Sequence, residues 1–405
     1  MINSFVWSLT GGMFRGNNVV ARAILPQRFE KRDFDRFARI EERKPMSRRL
    51  QEILVASLGI LVPWYFFAYV GTGIFPKVFT KGLFGIHKIS DMANLHYSDI
   101  GSVATCLLLL FLLGWHKEPR NFPDARVGSA RVPWLVYLAI SGLCTAIIIP
   151  TTTLMYSFGV SVMLAMVVMR GCVIIVSRLV DALHIRAGIL QKKVTLEENL
   201  AVVFAIGAVL VGLLRPPHKG EDPFSLFHSA PAMVTLGLYV AAYFVRLYIM
   251  NWYKRTPQSN NAAYTWCEQA FAAGTLALVT AAVIFSGSHD ERALELANAA
   301  KLENFNGPAI LGGIPFGLAA IPSVLLFMYK GRSATFTGLV NRLTSLIAGT
   351  TSTLILAALF AGHWITVKMD WPDWIDGVAF GCILAAIECL RRGEKKQRAL
   401  APARA

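Results

Sequence analysis

Long apolar stretches recur along the chain and are separated by short polar segments. A helix needs about 20 mostly apolar residues to cross the hydrocarbon core of a bilayer. About ten stretches approach that length, at residues 51–75, 99–115, 132–154, 160–180, 197–214, 225–249, 262–286, 307–329, 333–361 and 373–390. This pattern predicts an all-α integral membrane protein with about ten transmembrane helices.

Two of these stretches align without a gap at an offset of 172 residues. The matched positions are Gly159 with Gly331, Ser161 with Ser333 and Arg170 with Arg342. The offset divides the chain into two halves of five spans, residues 51–215 and 225–392, with a linker at 216–224. Because five is odd, the second half must enter the membrane from the opposite face. We therefore expect an inverted five-plus-five repeat, which places a substrate site near the midplane between the halves.

The composition supports a membrane location and constrains the topology. Hydrophobic residues make up 55% of the chain and charged residues only 16%, which is too apolar for an ordinary soluble domain. The net charge is +15, but with a cytosolic N-terminus most Lys and Arg fall in inside loops and ends, as the positive-inside rule requires. We expect both termini in the cytosol, in a bacterial inner membrane or a eukaryotic organelle membrane. Nucleic acid is not an expected partner, because no basic face is left unexplained.

Basic segments flank the predicted membrane domain at both ends. Residues 1–50 contain eleven Lys or Arg. This arm is interpreted either as a cytosolic segment that lies on the bilayer surface or as a mitochondrial transit peptide. Residues 393–405 form a basic tail that we expect in the cytosol.

Arg170 and Arg342 lie near the middle of their apolar stretches, where a charge is costly. The cost is at least about 2.5–3.5 kcal/mol on insertion scales, so such a charge persists where it faces a wet cavity or a partner. In the ninth span, Ser345 and other small or hydroxyl residues share the helix face of Arg342. Guanidinium groups bind phosphate or carboxylate through paired hydrogen bonds, so this face suits an anionic ligand. The alternative is an intramembrane salt bridge that locks helices together.

The seventh span carries Glu268 and Gln269 about 9 Å inside its cytosolic end, at 1.5 Å per residue. A buried carboxyl that binds and releases a proton could couple transport to a proton gradient, so Glu268 is a candidate coupling residue. Gln269 is a candidate substrate-binding residue. The alternative makes Glu268 the counterion of an arginine on a neighbouring helix. Arg178 and Arg246 are expected to extend to the inner membrane surface.

Motifs for enzymatic chemistry are absent from the sequence. The chain contains no GxSxG elbow, Walker loop, HExxH pattern or Cys/His zinc pattern. Its six cysteines lie in or beside apolar spans without CxxC spacing and are interpreted as small core residues. Gly313-x-x-x-Gly317 predicts a face for close helix packing. We therefore expect no enzymatic activity, no cofactor and no metal site.

Two segments resemble a known family of membrane proteins. Residues 154–179 read LMYSFGVSVMLAMVVMRGCVIIVSRL, and residues 330–345 read KGRSATFTGLVNRLTS. The first is similar to the third-to-fourth helix region of the drug/metabolite transporter superfamily, especially its nucleotide-sugar-transporter-like and EamA-like carriers, and the second to the matching stretch of the other half. The resemblance implies ten helices around a central cavity and alternating access. It also implies that the cavity is lined or gated by Tyr156, Arg170, Asn341 and Arg342.

These features favour a secondary transporter that moves an anionic, phosphorylated metabolite by alternating access through a midplane cavity. Its expected partners are this small-molecule anion and the lipid bilayer, and a homodimer is left open. Three alternatives stay open at this stage. They are a translocase for a lipid-linked phosphate, an integral-membrane transferase and a non-transporting membrane scaffold.

Overall fold

The computed structural model describes most of the chain after residue 56. The described residues are 57–118, 120–127, 130–157, 162–190, 195–213, 230–287, 289–330, 332–360 and 374–400. The chain divides into two units, residues 1–64 and 65–405. Of the first unit only the beginning of the first helix is described, and all other described residues belong to the second. The predicted arm at 1–50 and the linker at 216–224 lie outside the described residues.

The described part of the chain is built from α-helices with one short β-hairpin. The helices are α1 (Leu58–Lys81), α2 (Asp91–Leu112), α3 (Trp134–Ser157), α4 (Val162–Arg186), α5 (Leu196–Leu213), α6 (Ala230–Tyr253), α7 (Asn261–Phe285), α8 (Glu291–Ala299), α9 (Gly307–Leu311), α10 (Ile314–Phe327), α11 (Ala334–Phe360) and α12 (Trp374–Leu400). The hairpin pairs β1 (Ala125–Val127) with β2 (Ala130–Val132) in antiparallel register. Every predicted span overlaps at least one of these helices.

Length and composition identify the segments that can cross a membrane. Six in the described residues are long and apolar enough: Leu58–Thr80, Asp91–Leu112, Trp134–Met155, Ala230–Tyr253, Asn261–Phe285 and Gly307–Phe327. Large apolar side chains on the outside of the helices are exposed, among them Leu278 at 74% and Phe67 at 68%. Such faces suit contact with lipid rather than with water. The protein is thus a multi-pass helical membrane protein.

Helix α2 begins earlier than the apolar pattern predicts. The second span was expected from residue 99, whereas the helix begins at Asp91. The Ser90 side chain caps it by accepting a hydrogen bond from the Ala93 backbone N–H at 3.2 Å. The Asp91 carboxylate in the first turn adds a favourable interaction with the helix dipole. Because polar residues interrupt these two turns, a search for apolar runs misses them.

The eighth predicted span is two helices, α9 and α10, with a break between them. Pro315 lies in the first turn of α10, where the backbone N–H that proline lacks is not needed. A Cβ atom on Gly313 would lie 2.2 Å from the carbonyl oxygen of Ser98, and one on Gly317 would lie 2.3 Å from that of Ser102. The predicted Gly313-x-x-x-Gly317 face therefore packs directly against the backbone of α2.

Helices α4 and α11, which carry the two repeat-related arginines, pack antiparallel. The Asp181 carboxylate near the end of α4 accepts hydrogen bonds from the backbone N–H groups of Ala334 at 2.8 Å and Thr335 at 2.6 Å. One turn further along α11, a Cβ atom on Gly338 would lie 2.3 Å from the Ser177 hydroxyl oxygen. These contacts set the register of the two helices.

Candidate functional site

The two repeat-related arginines lie at nearly the same depth. Arg170 is the ninth residue of α4, and Arg342 is the ninth residue of α11. The register that places Asp181 at Ala334 puts Arg342 level with Val173. Arg170 is three residues from that level, or about 4.5 Å along the helix axis at 1.5 Å per residue. The antiparallel packing therefore brings both arginines to one level of the bundle.

Arg170 is buried, and its guanidinium group is not fully paired. The residue is only 3% exposed, and its guanidinium carbon lies 4.9 Å from the centroid of the Tyr69 ring. Its Nε and Nη2 atoms have no hydrogen-bond partner among the described residues. Buried polar groups are nearly always paired in folded proteins. An anion in the adjacent cavity would fill these donor positions.

Arg342 repeats this arrangement on the other helix. It is 1% exposed, and its guanidinium carbon lies 4.5 Å from the centroid of the Tyr243 ring and 5.6 Å from that of Phe327. Its Nε and Nη2 atoms also lack a partner in the described part of the chain. Within that part, neither arginine forms the intramembrane salt bridge that the sequence left as an alternative.

A cavity of about 60 Å³ lies between α1, α3, α4, α6, α7 and α10. One water molecule needs about 10–15 Å³ by this measure, so the cavity has room for a few waters in this conformation. The described residues that line it include four aromatic rings, two arginines and several hydroxyl or amide groups. These are Tyr65, Tyr69, Tyr243, Phe316, Arg170, Arg246, Thr145, Thr152, Ser323 and Gln269. Arg342 is not among them, but the Tyr243 ring on which it lies is part of the wall.

Asn341 supports the cavity wall from behind. The Tyr65 hydroxyl donates a hydrogen bond to Oδ1 of Asn341 at 3.3 Å, and Nδ2 of Asn341 donates to the Ser323 hydroxyl at 3.1 Å. Asn341 is fully buried, whereas Tyr65 and Ser323 line the cavity. The amide therefore fixes the orientation of two lining side chains from different helices.

Arg246 lies in the cavity wall and forms a buried ion pair with Glu268. Its Nε donates to Oε1 and its Nη2 donates to Oε2 of the carboxylate, both at 2.9 Å. The side chains are 5% and 0% exposed. The expectation that Arg246 extends to the membrane surface was wrong, because a carboxylate at the same depth binds it. One feature of the sequence indicates that Arg246 faces the protein interior. Tyr239, Tyr243 and Arg246 share one helix face at three- and four-residue steps.

The Glu268 carboxylate is fixed by further hydrogen bonds. The Ser141 hydroxyl donates to Oε1 of Glu268 at 2.5 Å, and Tyr264 lies 2.7 Å from the same hydroxyl oxygen. Because the single Ser141 proton is directed at the carboxylate, the Tyr264 hydroxyl is the donor to Ser141. Glu268 is therefore the counterion of an arginine on a neighbouring helix, which is the alternative role that the sequence left open.

The other predicted site residues have different surroundings. Gln269 lines the cavity, and its Nε2 has no hydrogen-bond partner among the described residues. The Ser345 hydroxyl is fully buried and donates to the backbone oxygen of Arg342 at 2.9 Å. The side chain of Tyr156 lies outside the described residues. Of these three, Gln269 is the residue that the structure places beside the arginines.

A second charged cluster is buried where α4 ends and α11 begins. His184 is fully buried, beyond the apolar stretch 160–180, and its Nδ1 lies 2.7 Å from Nη1 of Arg255. Because arginine can only donate, Nδ1 accepts this hydrogen bond and carries no proton. Burial, and then the Arg255 charge, lower the pKa of His184 to about 4. His184 is 14 residues beyond Arg170, or about 21 Å along the helix, so this cluster is separate from the cavity.

Comparison with known proteins adds little to this geometry. No protein-family model and no curated protein matches the chain. One similar solved structure is described only as "Crystal structure of protein". It has 15% sequence identity and a TM-score of 0.49, and the match covers 82% of this chain and 98% of that one.

Proposed function

We propose that the protein is a secondary transporter that moves an anionic, phosphorylated metabolite by alternating access through the cavity beside Arg170. The observation that carries this proposal is the pair Arg170 and Arg342. Both are buried at one level of the bundle, and each has donors unfilled by the described residues. A charge so placed is unfavourable unless a ligand or water completes its hydrogen bonds.

The charge around the cavity matches a phosphate group. Arg170 and Arg246 line the cavity, and Arg342 and Glu268 are buried behind its wall, so three positive charges and one negative charge leave two positive charges in this region. A phosphate monoester carries about −1.5 to −2 at neutral pH. Its attraction to these groups is far stronger in a low-dielectric interior than in water. A dianionic phosphate would therefore neutralise the site and fill its donors.

The packing of the helices supports the proposed architecture of ten membrane helices in an inverted five-plus-five repeat. In that repeat α4 corresponds to α11, and these helices pack antiparallel, as a twofold axis in the membrane plane requires. Helix α3 packs against α7, and the helices that correspond to them in the other half, α10 and α2, also pack against each other. Both termini would then lie in the cytosol.

The small size of the cavity is consistent with one stage of an alternating-access cycle. The cavity has room for only a few waters, so it would have to widen to hold a phosphorylated metabolite. Outward-open and inward-open conformations would widen it on either side of the arginine level. Alternating access places the substrate site at this fixed level while the two halves move around it.

Uptake by reconstituted protein tests this proposal. Proteoliposomes preloaded with one anion are assayed for uptake of labelled inorganic phosphate, sugar phosphates, nucleoside phosphates and nucleotide sugars. We expect saturable uptake of at least one class. Arg170→Ala and Arg342→Ala should each lower kcat/KM by about a hundredfold, because each loses charge-assisted hydrogen bonds worth about 1.5–3 kcal/mol.

Arg178→Ala is the matched control, because Arg178 is on the same helix as Arg170. It donates a hydrogen bond to Asn199 at 2.7 Å at the protein surface and does not line the cavity. Its uptake should equal that of the wild type. A wild-type protein that transports no anion of the panel, or alanine variants that transport as well as the wild type, would refute the proposal.

A further inference from the structure

The Arg246–Glu268 pair leaves part of the Arg246 guanidinium available to a ligand. A guanidinium has five N–H donors, and the pair uses one on Nε and one on Nη2. Arg246 also lines the cavity, on the same helix as Tyr243. Three donors are therefore left on a group that borders the space where the anion would bind.

Glu268 itself lies behind the arginine. It is fully buried and is not among the described residues that line the cavity. Its carboxylate accepts hydrogen bonds from Arg246 on α6 and from Ser141 on α3. A residue that exchanges protons with water during transport needs a path to water. Glu268 is instead shielded by its own partner and fixed to two neighbouring helices.

We propose that Arg246, beside Arg170, is a further substrate-contacting arginine and that Glu268 is a positioning residue that holds it, rather than a proton carrier. This inference rests on the proposed function. The bidentate contact fixes the plane of the guanidinium, so its free edge is oriented toward the cavity before the substrate arrives. Ligand sites gain affinity when their binding groups are held in place in this way. Helices α4 and α6 would each contribute one cavity-lining arginine to the same anion, and Arg342 of α11 lies behind the Tyr243 ring of the wall.

The test measures anion exchange across proteoliposome membranes, with labelled phosphate outside and unlabelled phosphate inside. The same assay is run with any other anion that the wild type transports. Exchange at equal pH on both sides does not need a proton gradient. If Glu268 positions Arg246, Glu268→Gln should raise KM about tenfold to a hundredfold with little change in kcat. A proton-carrier role predicts the reverse, with normal KM for exchange and loss of uptake driven by a pH gradient.

A double variant protects the test against misfolding. Replacing one partner leaves a buried charge unpaired, whereas replacing both by apolar residues is often neutral or stabilising. Arg246→Met with Glu268→Met should therefore fold with wild-type thermal stability. A merely structural pair predicts that KM is unchanged in this variant, and we expect it to rise at least about tenfold.

The outcomes separate the two proposals. Unchanged KM in the folded double variant, or gradient-specific loss in Glu268→Gln, would overturn the role of the pair while leaving the transporter proposal in place. Failure of the wild type to exchange any anion would refute the transporter proposal, and this inference with it. A raised KM in both variants, at every pH from 5.5 to 8, supports the assignment.

Discussion

Replacing Arg342 or Arg246 by methionine should have very different effects on stability. Both arginines are buried, at 1% and 4% exposure, so burial alone would predict similar effects. They differ in their partners. Arg342 lies against two aromatic rings, whereas Arg246 forms a bidentate ion pair with Glu268.

For Arg342 the two opposing contributions nearly cancel. An arginine in the middle of a membrane helix costs about 2.5–3.5 kcal/mol on insertion scales. The contact between the guanidinium and the Tyr243 ring offsets about 2 kcal/mol of this cost, because both groups are shielded from water. Methionine retains an unbranched chain of similar path without the charge. Arg342→Met should therefore leave the unfolding free energy unchanged or raise it by about 1 kcal/mol.

For Arg246 the same substitution leaves an uncompensated charge. Glu268 is fully buried, and losing its counterion would expose a carboxylate to an apolar interior. Breaking a buried ion pair by removing one partner typically costs about 3–5 kcal/mol. Arg246→Met should lower the unfolding free energy by that amount. The difference between the two variants is at least about 3 kcal/mol, well beyond the error of a stability measurement.

Thermal unfolding in detergent without phosphate measures this difference. Cys106, Cys144 and Cys267 are buried, so a thiol-reactive fluorophore reports unfolding. The apparent Tm of Arg342→Met should equal or exceed that of the wild type, and that of Arg246→Met should fall by several degrees. Adding the transported anion should raise the Tm of the wild type and not that of Arg342→Met. Equal destabilisation by both substitutions would show that Arg342 has a structural partner and would refute the reasoning.

Three further predictions concern stability, each checked by the same thermal assay. Asp181→Ala removes two hydrogen bonds from the start of α11 and should cost about 1–2 kcal/mol. Because burial and the Arg255 charge lower the pKa of His184 to about 4, the unfolded chain binds a proton first as the pH falls below 6.5. The unfolding free energy should therefore decrease between pH 6.5 and 4 by at most about 1.4 kcal/mol per pH unit. The His184→Gln variant should lack this contribution to the pH dependence. Gly101→Ala places a Cβ atom 1.8 Å from a carbonyl oxygen of α9 and should cost about 1–3 kcal/mol, whereas Gly207→Ala meets nothing within 4 Å and should be neutral or stabilising.

The positions of the helices follow from the apolar pattern, whereas their polar ends do not. Helix α12 continues to Leu400, ten residues beyond the predicted span. Its polar turns are held by side-chain pairs, since Glu388 binds Arg391 at 2.7 Å and Arg392 at 2.9 Å. Glu388 and Arg392 have the i,i+4 spacing that brings oppositely charged side chains together on a helix. A prediction from apolar residues places the end of a helix where the apolar stretch ends, although the backbone hydrogen bonds of the helix continue further.

The aromatic part of the site lay beyond the reach of sequence reasoning. Arg170 and Arg342 were found because the repeat aligns them and because a charge in an apolar stretch is conspicuous. Tyr69 and Tyr243 carry no such signal, since aromatic residues are common in membrane helices and these two lie on α1 and α6. Their place beside the arginines depends on how helices distant in sequence pack together. Only the packed structure brings those rings under the guanidinium groups.

The Arg246–Glu268 pair, by contrast, can be predicted from the depth of the two residues in the helix bundle. Arg246 lies seven residues before α6 ends at Tyr253, and Glu268 lies seven residues after α7 begins at Asn261. At 1.5 Å per residue, both are about 10 Å from the same end of the bundle. Two opposite charges at that depth attract each other strongly because the dielectric is low, so pairing is favoured over extension to the surface. Their separation of 22 residues along the chain carries no such information. Depth measured from a shared helix end is therefore the quantity that predicts this charge pair.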